Sequence, residues 1–235
     1  MSRPLANHQP AETVVPCPTP ALGAKQPSVI VGRRQILTGL AALASAGVVL
    51  AREPLTRRGT PQLTTGPFYP LDRPSDQDWD LTHVPGRSGV AQGVIMELRG
   101  RVTTESGKPV PSARLDVWQT NGLGRYHHPS DETGAALDPN FQGSAVIRAD
   151  ANGDYRLRTV IPLPYERRQR HIHFDIRGEK RMLITQMFFP GEPNERDTLY
   201  PALRSEALQK AVTAELLEGE ASVKQFRWNI ILAGE

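Results

Sequence analysis

Asp150-Ala151-Asn152-Gly153-Asp154-Tyr155-Arg156-Leu157-Arg158-Thr159-Val160 sets the rhythm of this chain. Residues 150–153 end in Asn-Gly, a strong turn signal, and a run suited to a short strand follows over Asp154–Val160. Turn and short strand alternate outward in both directions. Upstream, candidate strands at 94–103 and 113–120 flank Glu105-Ser106-Gly107-Lys108-Pro109, and a third at 144–149 leads into the quoted turn. Downstream, Arg177-Gly178-Glu179 separates His171–Arg177 from 182–189. Pro190-Gly191-Glu192-Pro193 follows, and 222–232 forms the last candidate strand. One stretch, 205–217, is dominated by Ala, Leu, Glu, Gln and Lys and reads as a helix. Residues 54–92 are rich in Pro, Gly, Asp and Thr and show no helical period. The pattern predicts an all-β fold: a β-sandwich of mostly antiparallel strands, with long loops and one short C-terminal helix. No internal repeat or second domain is visible, so the expected organisation is a leader over 1–51 and a single domain over 52–235.

The 21 prolines and 20 glycines suit a loop-rich β fold better than a helical one. The formal charge of +3 is local to residues 1–51, where Arg3, Lys25, Arg33 and Arg34 face only Glu12. The remainder balances 24 basic against 24 acidic residues, which gives no reason to expect nucleic acid as a partner. The sole cysteine, Cys17, also lies in that first segment. Without the segment there is neither a disulfide nor a cysteine zinc site, and any metal must be held by His, Tyr, Asp or Glu.

Arg33-Arg34-Gln35-Ile36-Leu37 opens an uncharged apolar run over 36–51 that Arg52 and Glu53 end. A basic pair, an apolar core and small residues such as Ala44-Ser45-Ala46 resemble a twin-arginine export signal. The run is short for a membrane span, which takes ~20 apolar residues. The expectation is export to the periplasm or beyond, with no stable membrane insertion afterwards. A leader that does not function would leave the protein in the cytoplasm. Residues 1–30, polar and Pro-rich, read as disordered.

His171-Ile172-His173-Phe174 starts a candidate strand. Side chains alternate along a strand, so both histidines face one way, within reach of one ion, while Ile172 and Phe174 face the core. Asp175 shares the histidine face and is a plausible third ligand; Glu179 lies beyond the turn-forming Gly178. Tyr126 and Tyr165 sit in Gly- or Pro-rich loops. A phenolate suits a hard ferric ion, but a loop tyrosine more often packs with a bonded hydroxyl. Spacing does not choose between tyrosine and Asp175.

The chain resembles the intradiol ring-cleavage dioxygenases, most closely their protocatechuate 3,4-dioxygenase branch. The resemblance runs over about 65–190. It includes Thr65-Gly66-Pro67-Phe68-Tyr69-Pro70 and Leu115-Asp116-Val117-Trp118-Gln119-Thr120-Asn121, leading to Gly124-Arg125-Tyr126-His127-His128-Pro129. Asp138-Pro139-Asn140-Phe141-Gln142-Gly143, the 150–159 block, Pro164-Tyr165, His171-Ile172-His173-Phe174 and Leu183-Ile184-Thr185-Gln186-Met187-Phe188-Phe189-Pro190 complete it. The resemblance implies Fe(3+) held by Tyr126, Tyr165, His171 and His173. It assigns Arg168 to stabilising charge on the substrate ring and Gln186 to orienting Arg168 or the substrate. Tyr165 is the ligand that the incoming catechol displaces. The implied reaction opens a catechol-type ring with O2 to a cis,cis-muconate-type diacid. Asp175 then reverts to a structural role.

One departure stands out. Only Glu166-Arg167-Arg168-Gln169-Arg170 separates Tyr165 from His171, where the protocatechuate branch has a longer loop, often with a Trp. Substrate identity is therefore open, and Arg167 and Arg170 rival Arg168, although strand parity turns Arg170 away from the histidines. Of the other conspicuous residues, Trp118 reads as strand core, His127 and His128 as loop hydrogen-bonders and Tyr155 as packing. Tyr69 is a candidate to line the site, and Arg125 a candidate to fix the Tyr126 loop through a carboxylate. The rival functions are a non-catalytic transthyretin-like binding module and a histidine–carboxylate zinc or copper enzyme. Homo- and hetero-oligomers are both open.

Overall fold

The computed structural model describes residues 59–73, 78–218 and 223–235; the leader and Cys17 lie outside the described residues. The strands are β1 (Ile95–Thr103), β2 (Arg114–Trp118), β3 (Ser144–Arg148), β4 (Asp154–Val160), β5 (His171–Arg177), β6 (Met182–Phe188), β7 (Glu215–Leu217), β8 (Lys224–Arg227) and β9 (Ile230–Ile231). One helix, α1 (Glu206–Val212), lies between β6 and β7, with the Ser205 side chain accepting from the Leu208 amide at its N-terminus. One sheet runs β4-β1-β8-β7 with β9 also on β1, and the other runs β3-β2-β5-β6. No helix among the described residues is long and apolar enough to cross a membrane.

The core lies where the two sheets face each other. Met96, Leu98 and Leu157 from one sheet and Leu115, Ile172, Phe174 and Ile176 from the other are fully buried in a single cluster. Burying each such side chain stabilises the fold by about 1.5–3 kcal/mol. That burial fixes the register of β5, because a slip of one residue would turn Ile172 and Phe174 outward and the histidines inward. Against β5, Trp118 pairs with His173 and Asp116 with Asp175 on one side, and Gln186 pairs with His173 and Phe188 with His171 on the other. These residues occupy the outer face of the second sheet. Trp118, His171, His173 and Gln186 are nonetheless at most 3% exposed. Loops cover them: Leu63 N donates to Ile184 O at 2.8 Å, and Phe68 packs beside Trp118, Tyr126 and Tyr165.

Two expectations need correction. The helix stops at Val212 rather than continuing to 217, and Glu215–Leu217 pairs with β8 instead. Ala214 N donates to Phe188 O at 2.9 Å, which draws the chain into an extended path despite its helix-forming composition. The last expected strand is divided into β8 and β9, because Trp228 crosses above Gly100. The Trp228 carbonyl oxygen occupies the space a Cβ would need there and accepts from Tyr155 Oη at 2.7 Å. As expected, the strand pairs are mostly antiparallel; β8 and β9 pair with β1 in parallel.

Candidate metal centre

Strand parity brings His171 and His173 together as expected: their Nε2 atoms are 3.1 Å apart. Tyr126 Oη lies 3.0 Å from His173 Nε2 and 3.4 Å from His171 Nε2. Tyr126 comes from the β2–β3 loop. Asn121 shapes that loop by accepting from Leu123 N and Arg125 N, and Gly124 supplies a positive φ of 89° that a side chain would resist. The Asp131 carboxylate then accepts from Tyr126 N at 2.7 Å. Burial works to raise the Asp131 pKa, but hydrogen bonds from Thr133 and Tyr126 N leave it below the usual carboxylate value. Arg125 does fix the loop, though through the carbonyls of Ala135 and Asp131 rather than a carboxylate.

Tyr165 reaches the same point from the β4–β5 connection. Its ring stands edge-on to Tyr126 at 5.2 Å and 5.7 Å from His171. A tight turn, closed by Arg168 N donating to Tyr165 O at 2.8 Å, holds Glu166 at a φ of 48°. That turn folds Arg168 back over the site. Its Nε donates to Asp197 Oδ2 at 3.0 Å and its Nη2 to Gln186 Oε1. Gln186 Nε2 in turn donates to Thr64 O at 2.8 Å. Both ends of the Gln186 amide are thus engaged with protein, so it orients Arg168. The rival arginines are placed elsewhere: Arg167 is exposed, and Arg170 pairs with Glu192 at 3.2 Å.

The histidines are held neutral. Burial, followed by the Arg168 charge, lowers the His171 pKa to about 3; burial, then His171 and Arg168, holds His173 well below its ordinary value. His171 Nδ1 lies 2.6 Å from Gln169 O, and a carbonyl only accepts, so the proton sits on Nδ1 and Nε2 is a bare lone pair. Burial also pushes both phenols up, the more deeply buried Tyr126 strongly and Tyr165 less, with the Arg168 charge opposing the rise in each.

This donor set fits a hard cation. Separations of 3.0–3.4 Å are those of ligands sharing one ion at about 2 Å. Two phenol oxygens and two imidazole nitrogens suit ferric iron better than zinc or copper. Asp175, the competing ligand, has its carboxylate on Arg177 Nη2 at 2.8 Å, and no three His, Cys, Asp or Glu side chains converge among the described residues.

Asp197, which anchors Arg168 and is 3% exposed, escaped sequence reading, because nothing local sets it apart from Glu192 and Glu195 in the same loop. Trp118 is buried as expected, but on the outer face of its sheet, stacked on His173 at 4.8 Å and 11°. His128 packs against Phe68 with Nδ1 accepting from Ser130 N, and His127 is exposed; neither joins the donor cluster.

Residues 64–234 match a family model described as dioxygenase. The chain is 40% identical over 136 residues to the protocatechuate 3,4-dioxygenase beta chain of Burkholderia cepacia, covering 54% of this chain and 58% of that one. It is 32% identical over 180 residues to catechol 1,2-dioxygenase 2 of Acinetobacter lwoffii, covering 65% and 62%. Among solved structures, the dioxygenase domain of a dioxygenase carbohydrate-binding protein fusion from Streptomyces sp. SirexAA-E superposes with a TM-score of 0.57 at 24% identity. That match covers 75% of this chain and 99% of that one, and shows the shared fold. The chain spans about three-fifths of the length of these two curated relatives.

Proposed function

We propose that this chain, which belongs to the intradiol ring-cleavage dioxygenase family, binds Fe(3+) through Tyr126, Tyr165, His171 and His173 and opens the ring of a catechol-type aromatic with O2 to a cis,cis-muconate-type diacid. The observation that carries the reading is the convergence of Tyr126 Oη with the two histidine Nε2 atoms. When bound, ferric iron supplies the Lewis acidity that draws in a catechol as its dianion and makes the ring reactive toward O2.

The surrounding residues have separable tasks. Tyr126, 2% exposed and tied through its backbone to Asp131, is the fixed phenol. Tyr165, at 8% and beside Arg168, is the more accessible of the two, and as a phenolate it would accept a proton from a substrate hydroxyl. Arg168 keeps Nη1 free of hydrogen bonds among the described residues, while Asp197 and Gln186 hold the rest of the guanidinium. That leaves the two N–H bonds of Nη1 preorganised to stabilise negative charge on the ring. Export through the twin-arginine-like leader belongs to the same proposal and rests on Arg33-Arg34 and the apolar run behind them.

The test is iron and turnover measured together. Purified protein loaded with Fe(III) should be red-brown from tyrosinate charge transfer, and oxygen uptake should appear with catechol, protocatechuate or hydroxyquinol. Tyr126→Phe and His171→Ala should each lose colour, iron and uptake together. Turnover retained in both variants would refute the ligand assignment.

A further inference from the structure

The two histidines are held in different ways. His171 is fixed through Nδ1 by the Gln169 carbonyl, the usual way a metal-binding histidine is oriented. His173 Nδ1 is buried and has no hydrogen-bond partner among the described residues. Apart from the contacts of its Nε2 inside the donor cluster, its ring is held by packing. One contact is Gly66, whose missing Cβ would lie 3.3 Å from His173 Cε1. The other is the Trp118 indole, stacked face to face on the imidazole at 4.8 Å. Trp118 Nε1 is itself buried without a hydrogen bond among the described residues, so the indole too is positioned by ring contacts.

The neighbour that is anchored is Tyr69. Its ring meets Trp118 edge-on at 4.9 Å and 78°. Its hydroxyl donates to Asp116 Oδ2 at 3.1 Å and accepts from Arg73 Nη2. Asp116 is 2% exposed and held in turn by Arg73 and, at Oδ1, by Arg114 Nε at 2.9 Å. Asp116 and Trp118 lie two residues apart on the same face of β2, so anchor and indole share one rigid strand.

We propose that Tyr69 is a positioning residue for His173: clamped by Asp116 and Arg73, it braces Trp118, and the stacked indole aims the His173 ring in place of the missing Nδ1 hydrogen bond. The inference rests on the metal reading above and deepens it. A phenol with both hydrogen-bonding directions engaged, set against an indole with none, transmits orientation by ring contact alone. Edge-to-face pairs of this kind contribute beyond simple burial.

Two readouts decide it. Chelator competition should show Tyr69→Phe, which keeps the ring and removes the hydroxyl, binding Fe(III) about tenfold more weakly, at the low end for loss of a ligand-orienting group. Trp118→Leu should lose at least as much, and Trp118→Phe, which restores a flat ring, should recover most of it. In metal-free protein, imidazole-selective NMR should give one sharp set of His173 signals in the parent and broadened or multiple sets in Tyr69→Phe. Iron affinity and His173 signals unchanged in Tyr69→Phe and Trp118→Leu would overturn the proposal. So would a lowered melting temperature with both readouts unchanged, which marks plain packing. If Trp118→Leu does not fold, Tyr69→Phe and Trp118→Phe decide the matter. A parent that binds no Fe(III) overturns the metal reading instead, and the NMR comparison, which needs no metal, still decides this one.

Discussion

Acidification should unfold the metal-free protein through its two buried imidazoles. His171 has a folded-state pKa of about 3 against an ordinary 6.5, with burial the leading cause, and His173 is displaced in the same direction. Above pH 6.5 both rings are neutral whether folded or unfolded, and the full stability is present. As pH falls, the unfolded chain takes up protons that the folded site refuses, so stability is lost, and for His171 the loss continues down to about pH 3. Between pH 6.5 and 5, linkage gives about 2 kcal/mol for His171 alone and up to about twice that for the pair. Losses of that size are a large share of the ~5–15 kcal/mol that holds a typical domain together. Urea denaturation of metal-free protein at half-unit pH steps measures it. His171→Gln, which removes one titrating ring, should flatten the slope by about 1.4 kcal/mol per pH unit. A parent whose stability stays level from pH 6.5 to 5, or an NMR-measured His171 pKa near 6.5, would refute the claim that folding excludes these protons. Bound metal should protect against the same loss, since it occupies the lone pairs the protons would take.

Three further outcomes follow from the loops around the site. Asp197→Ala strands the buried Arg168 guanidinium and should cost about 3–5 kcal/mol in urea denaturation. Arg170→Ala, which breaks a half-exposed pair with Glu192, should stay within about 1 kcal/mol of the parent, and similar losses in the two would remove the case for Arg168. Glu166→Gly relieves a left-handed residue and should melt no lower than the parent, whereas Glu166→Val should fall by about 1–2 kcal/mol; equal melting of the two variants would show the turn is unstrained. Asp131→Ala leaves Tyr126 N without its acceptor, so a loss of about 1–3 kcal/mol is expected together with weaker iron binding, and parental values for both would show the loop holds itself.

The strands that carry the site were legible because their signals are local. Strands β4 and β5 have the boundaries that alternation and turns implied, and β1, β2, β3 and β6 differ from the expected ends by one or two residues. What failed was decided by distant partners. Residues 213–217 have a helical composition, yet Phe188 captures Ala214 and β8 captures Leu216. The break between β8 and β9 reflects a carbonyl crossing Gly100, more than a hundred residues away in sequence, and no local pattern encodes such an approach.

The metal centre divides along the same line. Parity alone put His171, His173 and Asp175 on one face, and spacing did not choose between Asp175 and the loop tyrosines as the further ligands. Asp175 is eliminated by Arg177, two residues along its own strand, and Tyr126 is brought in by a loop whose course depends on Asn121 and Asp131. The physical criterion is therefore compensation rather than spacing. Asp175 already has its counter-charge, whereas His171 presents a bare lone pair 3.1 Å from the Nε2 of a second neutral imidazole, both sealed from water. Cut off from water, these atoms keep hydrogen bonds only to one another, and Tyr126 brings a single hydroxyl proton to the cluster. A fold that aims two such nitrogens and a phenol oxygen at one point satisfies all three at once when a cation joins them. The same burial that makes the site costly to form without metal is what would make it select one.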